Sequence, residues 1–92
     1  MKKSLRIIVK GRVQGIGYRW FARQAARELG ITGFVRNLMN GDVEVVAQGE
    51  EEVLNQFIQE LSQGPAFAYV TDLKTEELDL PEDQYKSFEV AF

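Results

Sequence analysis

The sequence predicts an α+β fold in which two helices pack on one face of a mainly antiparallel sheet. Three observations predict it: apolar residues alternate near both ends of the chain, two internal segments carry helical apolar stripes, and a hairpin signal lies between those segments. The chain has 92 residues, of which 45% are hydrophobic and 27% are charged. Because this length and composition suit one hydrophobic core, we expect a single domain over residues 1–92.

The first half of the chain predicts a strand followed by a helix. Apolar residues alternate over residues 5–12, which is typical of a strand. From Tyr18 the apolar spacing becomes helical, and Gly30 favours a helix end there. The apolar stripe of this helix consists of Phe21, Ala22, Ala25, Ala26 and Leu29. A second stripe is basic and consists of Arg19, Arg23 and Arg27, for which we expect solvated positions at Arg23 and Arg27.

A β-hairpin is predicted in the middle of the chain. Two apolar segments, residues 34–39 and 42–47, flank the dipeptide Asn40-Gly41. Asn-Gly readily adopts the two positive φ angles of a type I′ turn, so we expect that turn here.

The second half predicts another helix and two strands. Three acids at positions 50–52 suit the positive end of a helix dipole, and Gly64-Pro65 stops the helix. The apolar stripe between them consists of Val53, Leu54, Phe57, Ile58 and Leu61. Strands are predicted over residues 69–76 and near the C-terminus, where Phe88 and Phe92 are expected in the core. The order β-α-β-β-α-β with a fifth strand is that of a ferredoxin-like split β-α-β sandwich.

Charge is segregated along the chain. Residues 1–46 hold nine basic and three acidic residues, a net charge of +6, whereas the remainder holds two basic and eleven acidic residues, a net charge of −9. One interpretation is that the first half meets an anion. The other is that the folded surface interleaves the two halves.

Several function classes are excluded by composition. The chain has no cysteine and no histidine, which removes thiolate nucleophiles, sulfur-ligated metals and the commonest general base. Its longest apolar run, residues 66–70, is far shorter than the roughly 20 residues needed to cross a bilayer. No apolar stretch with a cleavage site follows Met1, so we expect a soluble cytoplasmic protein with no membrane partner.

Residues 11–19 have the composition of an anion-binding loop. Three glycines and no acid occupy these nine positions, between the first strand and the first helix. Glycines let successive backbone N–H groups converge, and a helix N-terminus adds unpaired N–H groups and partial positive charge. The segment lacks the Gly-Lys-Ser/Thr sequence of a nucleotide-binding loop, so a small anion suits it better. The alternative is that the glycines serve only as turn residues.

Two polar residues stand out beside this loop. A cation in the first helical turn opposes the helix dipole, and a bound phosphate would make Arg19 favourable instead. Alternatively, Arg19 extends into solvent or pairs with an acid from the second half. Asn37 lies in a predicted strand, where asparagine is disfavoured, so its amide is a candidate functional group. Alternatively, Asn37 begins the hairpin turn or lies on a solvated edge.

Two ordered motifs closely resemble the acylphosphatase family. Gly11-Arg12-Val13-Gln14-Gly15-Ile16-Gly17-Tyr18-Arg19 is similar to the family signature G-R-V-Q-G-V-x-F-R. Gly33-Phe34-Val35-Arg36-Asn37, then Gly41-Asp42-Val43-Glu44, is similar to its second segment. The resemblance covers essentially the whole chain and implies the ferredoxin-like fold. It also implies hydrolysis of the carboxyl-phosphate bond of acyl phosphates to a carboxylate and inorganic phosphate.

The resemblance implies roles for particular residues. Arg19 matches the family's phosphate-binding arginine, and Asn37 matches the asparagine that positions the attacking water. Backbone N–H groups that bind phosphate are implied for Gln14, Gly15, Ile16, Gly17, Tyr18 and Arg19. No metal or cofactor is implied. The expected partners are a small-molecule acyl phosphate and inorganic phosphate, as product and inhibitor, and the expected state is a monomer.

A different function remains open, because the same fold also hosts RNA-binding and non-catalytic anion-binding modules. An RNA-binding module of this fold would carry aromatic residues on a central strand. Residues 42–47 contain two acids and no aromatic residue, so we do not expect nucleic acid as a partner. The sequence leaves open whether Arg12, Arg23 or Arg36 contributes to the anion site.

Overall fold

A computed structural model describes all 92 residues and confirms the predicted fold class. Its elements are β1 (Lys2–Arg12), α1 (Tyr18–Glu28), β2 (Thr32–Asn37), β3 (Val43–Glu50), α2 (Glu51–Gln63), β4 (Tyr69–Leu78) and β5 (Phe88–Val90). The five strands form one sheet in the order β4-β1-β3-β2-β5. All neighbouring pairs are antiparallel except β2 and β5, which are parallel. None of the helices is long and apolar enough to cross a membrane.

The order of the strands positions the two loops that matter for function. Strands β1 and β2 both pair with β3 and are connected through α1, while β3 and β4 both pair with β1 and are connected through α2. Each helix therefore crosses one intervening strand and packs on the same face of the sheet. As a result, the loop after β1 and the C-terminal end of β2 lie at the same end of the sheet, where both strands reach the start of β3.

The core lies between the helices and this face. Its largest fully buried side chains include Phe57 of α2 and Phe88 of β5, whose rings meet edge to face at 5.9 Å. Phe88 is thus in the core as predicted. Phe92 is 98% exposed, so its predicted core position is wrong. The reason is that β5 ends at Val90, beyond which strand alternation no longer dictates which way a side chain points.

On the opposite face of the sheet, ion pairs connect neighbouring strands. Glu44 on β3 is almost fully buried and accepts hydrogen bonds from Arg6 on β1 and Arg36 on β2. Burial by itself raises the pKa of Glu44, but the two guanidinium groups outweigh it and hold that pKa below its usual value. Arg6 also donates to Glu76 on β4, at 3.2 Å. This row of ion pairs therefore links four strands.

The hairpin forms, but its turn differs from the prediction. A type I′ turn needs positive φ at both central residues, and only Gly41 has one, at 99°. The N–H of Gly41 donates to the carbonyl of Leu38 at 3.2 Å, and the N–H of Asp42 donates to Oδ1 of Asn40 at 3.0 Å. These bonds fit a turn with Asn40 at negative φ, followed by a left-handed glycine. The side chain of Asn40 thus favours the turn that forms.

Gly33 lies where the backbones of β2 and β3 approach each other closely. Its φ is 142°, and a Cβ added there would lie 1.8 Å from the carbonyl oxygen of Val46. We expect Gly33→Ala to lower the free energy of unfolding by about 3 kcal/mol or more, because the backbone of β3 cannot give way. Gly30→Ala is the matched control: its φ is also positive, but no atom lies within 4 Å of the added Cβ. Denaturant unfolding measures both, and equal losses would contradict the close contact.

Candidate active site

The loop between β1 and α1 begins at a forced turn. The pairing of β1 with β4 shifts register between Lys10 and Gly11. A Cβ on Gly11 would lie 2.0 Å from the carbonyl oxygen of Tyr69, so only glycine fits here. Gly15 and Gly17 also have positive φ, at 77° and 83°, but face open space. These two glycines therefore supply backbone conformation rather than close packing.

The N-terminus of α1 is left without a side-chain partner. Gly17 caps the helix in the left-handed conformation and makes no side-chain capping bond, and the first turn contains no acid. By contrast, α2 has Glu51 and Glu52 in its first turn. The N–H groups and partial positive charge at the start of α1 are therefore free to meet an anion.

Arg19 and Asn37 line one cavity of about 230 Å³ at this helix end. Gly15, Gly17 and Tyr18 also line it, so five of the seven predicted site residues meet there. Gln14 and Ile16 are not among the lining residues. No three acidic side chains of the chain come together as a metal-binding cluster.

Asn37 is the last residue of β2, and its side-chain oxygen is buried. The Oδ1 atom has no hydrogen-bond partner, and it is the only buried side-chain polar atom in the chain of which this is true. A buried acceptor without a donor costs about 1–3 kcal/mol. This burial contradicts the predicted alternative of a solvated edge, whereas the alternative of a residue that leads into the hairpin turn agrees with the position of Asn37 directly before that turn. Asn37 therefore carries a buried acceptor that no donor of the chain satisfies.

Arg19 is half-buried and has no carboxylate within ion-pair distance. Its Nη1 atom donates to the carbonyl of Ala91 at 3.4 Å, and its guanidinium carbon lies 4.8 Å from the ring centroid of Phe92. Neither contact neutralises its charge. The predicted alternative in which Arg19 pairs with an acid is therefore wrong.

The remaining basic residues of the first half are mostly neutralised. Seven of the nine make ion pairs: Lys2, Lys3, Arg6, Lys10, Arg23, Arg27 and Arg36. Arg27 is exposed, as expected, and Arg23 is half-buried; both approach the exposed Glu89. Interleaving of the two halves thus accounts for most of the charge segregation. The two basic residues of that half without an ion pair are Arg12, which is exposed, and Arg19.

Two loop side chains anchor the cavity wall. Gln14 donates through Nε2 to the carbonyls of Leu38 and Asp42, each at 2.8 Å, and so fixes the loop to the β2–β3 turn. Tyr18 donates its hydroxyl to the carbonyl of Leu61 at 2.6 Å. Burial raises the pKa of Tyr18 well above its usual value, so this hydroxyl stays protonated. The sequence did not indicate the anchoring role of the Gln14 side chain or the presence of Trp20 in the cavity lining.

Comparison with known proteins identifies the family. The acylphosphatase family model matches residues 5–90. The chain is 44% identical to an acylphosphatase from Archaeoglobus fulgidus over 89 residues, covering 97% of this chain and 98% of the relative. It is 56% identical to an acylphosphatase from Thermus thermophilus over 63 residues, covering 68% of this chain and 72% of the relative.

Solved structures agree with the sequence relatives. The crystal structure of acylphosphatase from Bacillus subtilis superposes with a TM-score of 0.93 at 36% identity, covering 100% of both chains. None of these similarities favours the RNA-binding or non-catalytic alternative. The chain belongs to the acylphosphatase family, and it hydrolyses acyl phosphates to a carboxylate and inorganic phosphate.

Proposed function

We propose that the β1–α1 loop and Arg19 hold the phosphoryl group of the acyl phosphate, and that Asn37 positions the attacking water. The observation that carries this proposal is that Arg19 and Asn37 line the same cavity, and that the buried Oδ1 atom of Asn37 has no hydrogen-bond partner within the chain. The backbone N–H groups of residues 14–19 would face the phosphoryl oxygens, with the N-terminus of α1 behind them. No other arginine lines this cavity.

The chemistry needs positioning and charge stabilisation rather than a strong base. An acyl phosphate is a mixed anhydride whose carboxylate leaves readily. Water attacks the phosphorus, the bond between phosphorus and the acyl oxygen breaks, and the carboxylate leaves with the bonding electrons. The amide oxygen of Asn37 accepts a hydrogen bond from the water but does not take its proton. That proton passes to a phosphoryl oxygen, giving orthophosphate, while Arg19 stabilises the charge on the transferring group.

Gln14 acts in this proposal as a positioning residue. Its two hydrogen bonds reach the turn that directly follows Asn37. The bonds therefore tie the phosphate-binding loop to the strand that carries the water-binding amide. Because reactivity depends steeply on the distance between reacting groups, this link contributes to turnover without touching substrate.

We also propose that orthophosphate is a competitive inhibitor and that the enzyme works as a cytoplasmic monomer. Orthophosphate keeps the charged oxygens that the loop would bind in the substrate, which supports inhibition. Arg6, Arg36, Glu44 and Glu76 on the open sheet face are already paired with one another within the chain, which supports a monomer. Inhibition kinetics test competition by orthophosphate, size-exclusion chromatography tests the monomeric state, and cell fractionation tests the cytoplasmic location.

Replacing Arg19 tests the phosphate-binding role. We expect Arg19→Ala to lower kcat/KM for benzoyl phosphate by about 10³-fold or more and to weaken inhibition by phosphate, because the charge beside the loop is lost. EDTA should not affect the wild-type rate. Arg12→Ala is the matched control, since Arg12 carries the same charge at the same end of β1 but does not line the cavity. Equal losses of kcat/KM in the two variants would indicate that activity depends on the general positive potential near the loop and not on a specific contact of Arg19 with phosphate.

Replacing Asn37 separates turnover from binding. We expect Asn37→Ala to lower kcat by about 10²-fold or more while the inhibition constant of phosphate changes little, because the water loses its acceptor. The free energy of unfolding should not fall, since Oδ1 makes no hydrogen bond within the chain. Asn55→Ala on the exposed face of α2 is the control. Loss of phosphate inhibition would instead assign Asn37 to phosphate binding.

Replacing Gln14 tests the link between the loop and the β2–β3 turn. Gln14→Met keeps the length of the side chain but removes both donated bonds. We expect about a tenfold lower kcat/KM, weaker phosphate inhibition, and a loss of about 1–2 kcal/mol in the free energy of unfolding. Gln24→Met, at an exposed position of α1, controls for the substitution itself. Wild-type kinetics in Gln14→Met would show that the loop keeps its geometry without this anchor.

A further inference from the structure

Trp20 lines the active-site cavity while remaining largely exposed. It shares the cavity with Arg19 and Asn37, and its side chain is 60% exposed. The other aromatic residues at the start of α1 pack inward, with Tyr18 buried and Phe21 half-buried. A hydrated indole gains little for the fold, because its apolar surface stabilises only when it is covered. Its position at the rim of a substrate cavity points to a ligand that covers it.

The indole of Trp20 is held in place by side chains of α1 that are linked to Glu89 of β5. The guanidinium carbon of Arg23 lies 5.3 Å from the centroid of the Trp20 ring, which covers one of its faces. Nε of Arg23 lies 4.0 Å from Oε1 of Glu89. Glu89 in turn accepts hydrogen bonds from Ser87, at 2.6 Å, and from Arg27, at 3.0 Å. A platform braced in this way loses little conformational entropy when a ligand contacts it.

The helix geometry separates Trp20 from Arg19. Consecutive residues of an α-helix point about 100° apart, so neighbouring side chains face different parts of one ligand. In the proposed function Arg19 meets the phosphoryl group, so the rest of the substrate would extend along the remaining lining of the cavity. Besides Trp20, that lining includes the apolar side chains of Val13 and Val90.

We propose that Trp20 binds the acyl group of the substrate, and that the enzyme prefers acyl phosphates whose acyl group is flat and apolar. The proposal rests on the proposed function, because it takes the phosphoryl group to lie at the loop and Arg19. An aromatic acyl group would stack on the indole and cover its hydrated surface. A charged acyl group would lose hydration against the apolar surface of Trp20, Val13 and Val90.

The test compares two substrates that differ only in the acyl group. For benzoyl phosphate and acetyl phosphate, kcat/KM is measured in wild type, Trp20→Ala and Trp20→Phe. We expect Trp20→Ala to lower the ratio of the two kcat/KM values, benzoyl over acetyl, by about tenfold, and Trp20→Phe to restore most of it. Because the phosphoryl group is common to both substrates, the ratio cancels any effect on phosphate binding.

Phe67→Ala is the matched control, since Phe67 is an 83% exposed aromatic residue outside the cavity. An unchanged ratio in Trp20→Ala overturns the proposal, and so does an equal loss for both substrates, which would make Trp20 a support for Arg19. Failure of the proposed function looks different. In that case Arg19→Ala would retain the wild-type rate with both substrates.

Fluorescence gives a second readout, because Trp20 is the only tryptophan of the chain. The non-hydrolysable analogues benzoylphosphonate and acetylphosphonate are titrated at equal fractional saturation. We expect a clearly larger change in tryptophan emission with benzoylphosphonate, since only that analogue places a ring against the indole. Equal changes with the two analogues would contradict contact between the acyl group and Trp20.

Discussion

Two hydrogen bonds from one glutamine hold the two halves of the active site together. The phosphate-binding loop follows β1, whereas Asn37 ends β2, and these strands do not pair with each other. Their relative position is transmitted through β3, which pairs with both, and through the Gln14 amide bonded to the β2–β3 turn. The close approach of β2 and β3 at Gly33 fixes how these two strands pair. The geometry of the site therefore depends on strand pairing that lies outside it.

The electrostatics of the fold leave Arg19 as the unpaired cation of the cavity. Ion pairs neutralise the basic residues of β1 other than Arg12 and those in the later turns of α1, and the first turn of α2 has its own acids. The first turn of α1 has none, and Arg19 has no acidic partner. Positive charge is thus concentrated where backbone N–H groups are also unpaired. An anion entering the cavity meets a charge that the protein has not already compensated.

The sequence predicted the fold class and the order of the elements, because these depend on local periodicity, and its two family motifs predicted five of the eight residues that line the cavity. It did not predict contacts between residues that are distant in the sequence. Arg23 and Arg27 pair with Glu89, which lies more than 60 positions away, and Gln14 reaches carbonyls more than 20 positions away. The prediction of a type I′ turn was wrong for a local reason, since Oδ1 of Asn40 accepts a hydrogen bond from the N–H of Asp42. The pattern of apolar residues does not predict that hydrogen bond.

The unsatisfied oxygen of Asn37 has a consequence for how this protein can be changed. The fold tolerates a buried acceptor that contributes nothing to its own stability, at a residue whose backbone continues the pairing of β2 with β3. Selection that scores only resistance to heat or protease would favour an apolar residue at this position. A library ranked in that way would enrich folded proteins that have lost the reaction, and its most stable members would be the least informative about the enzyme.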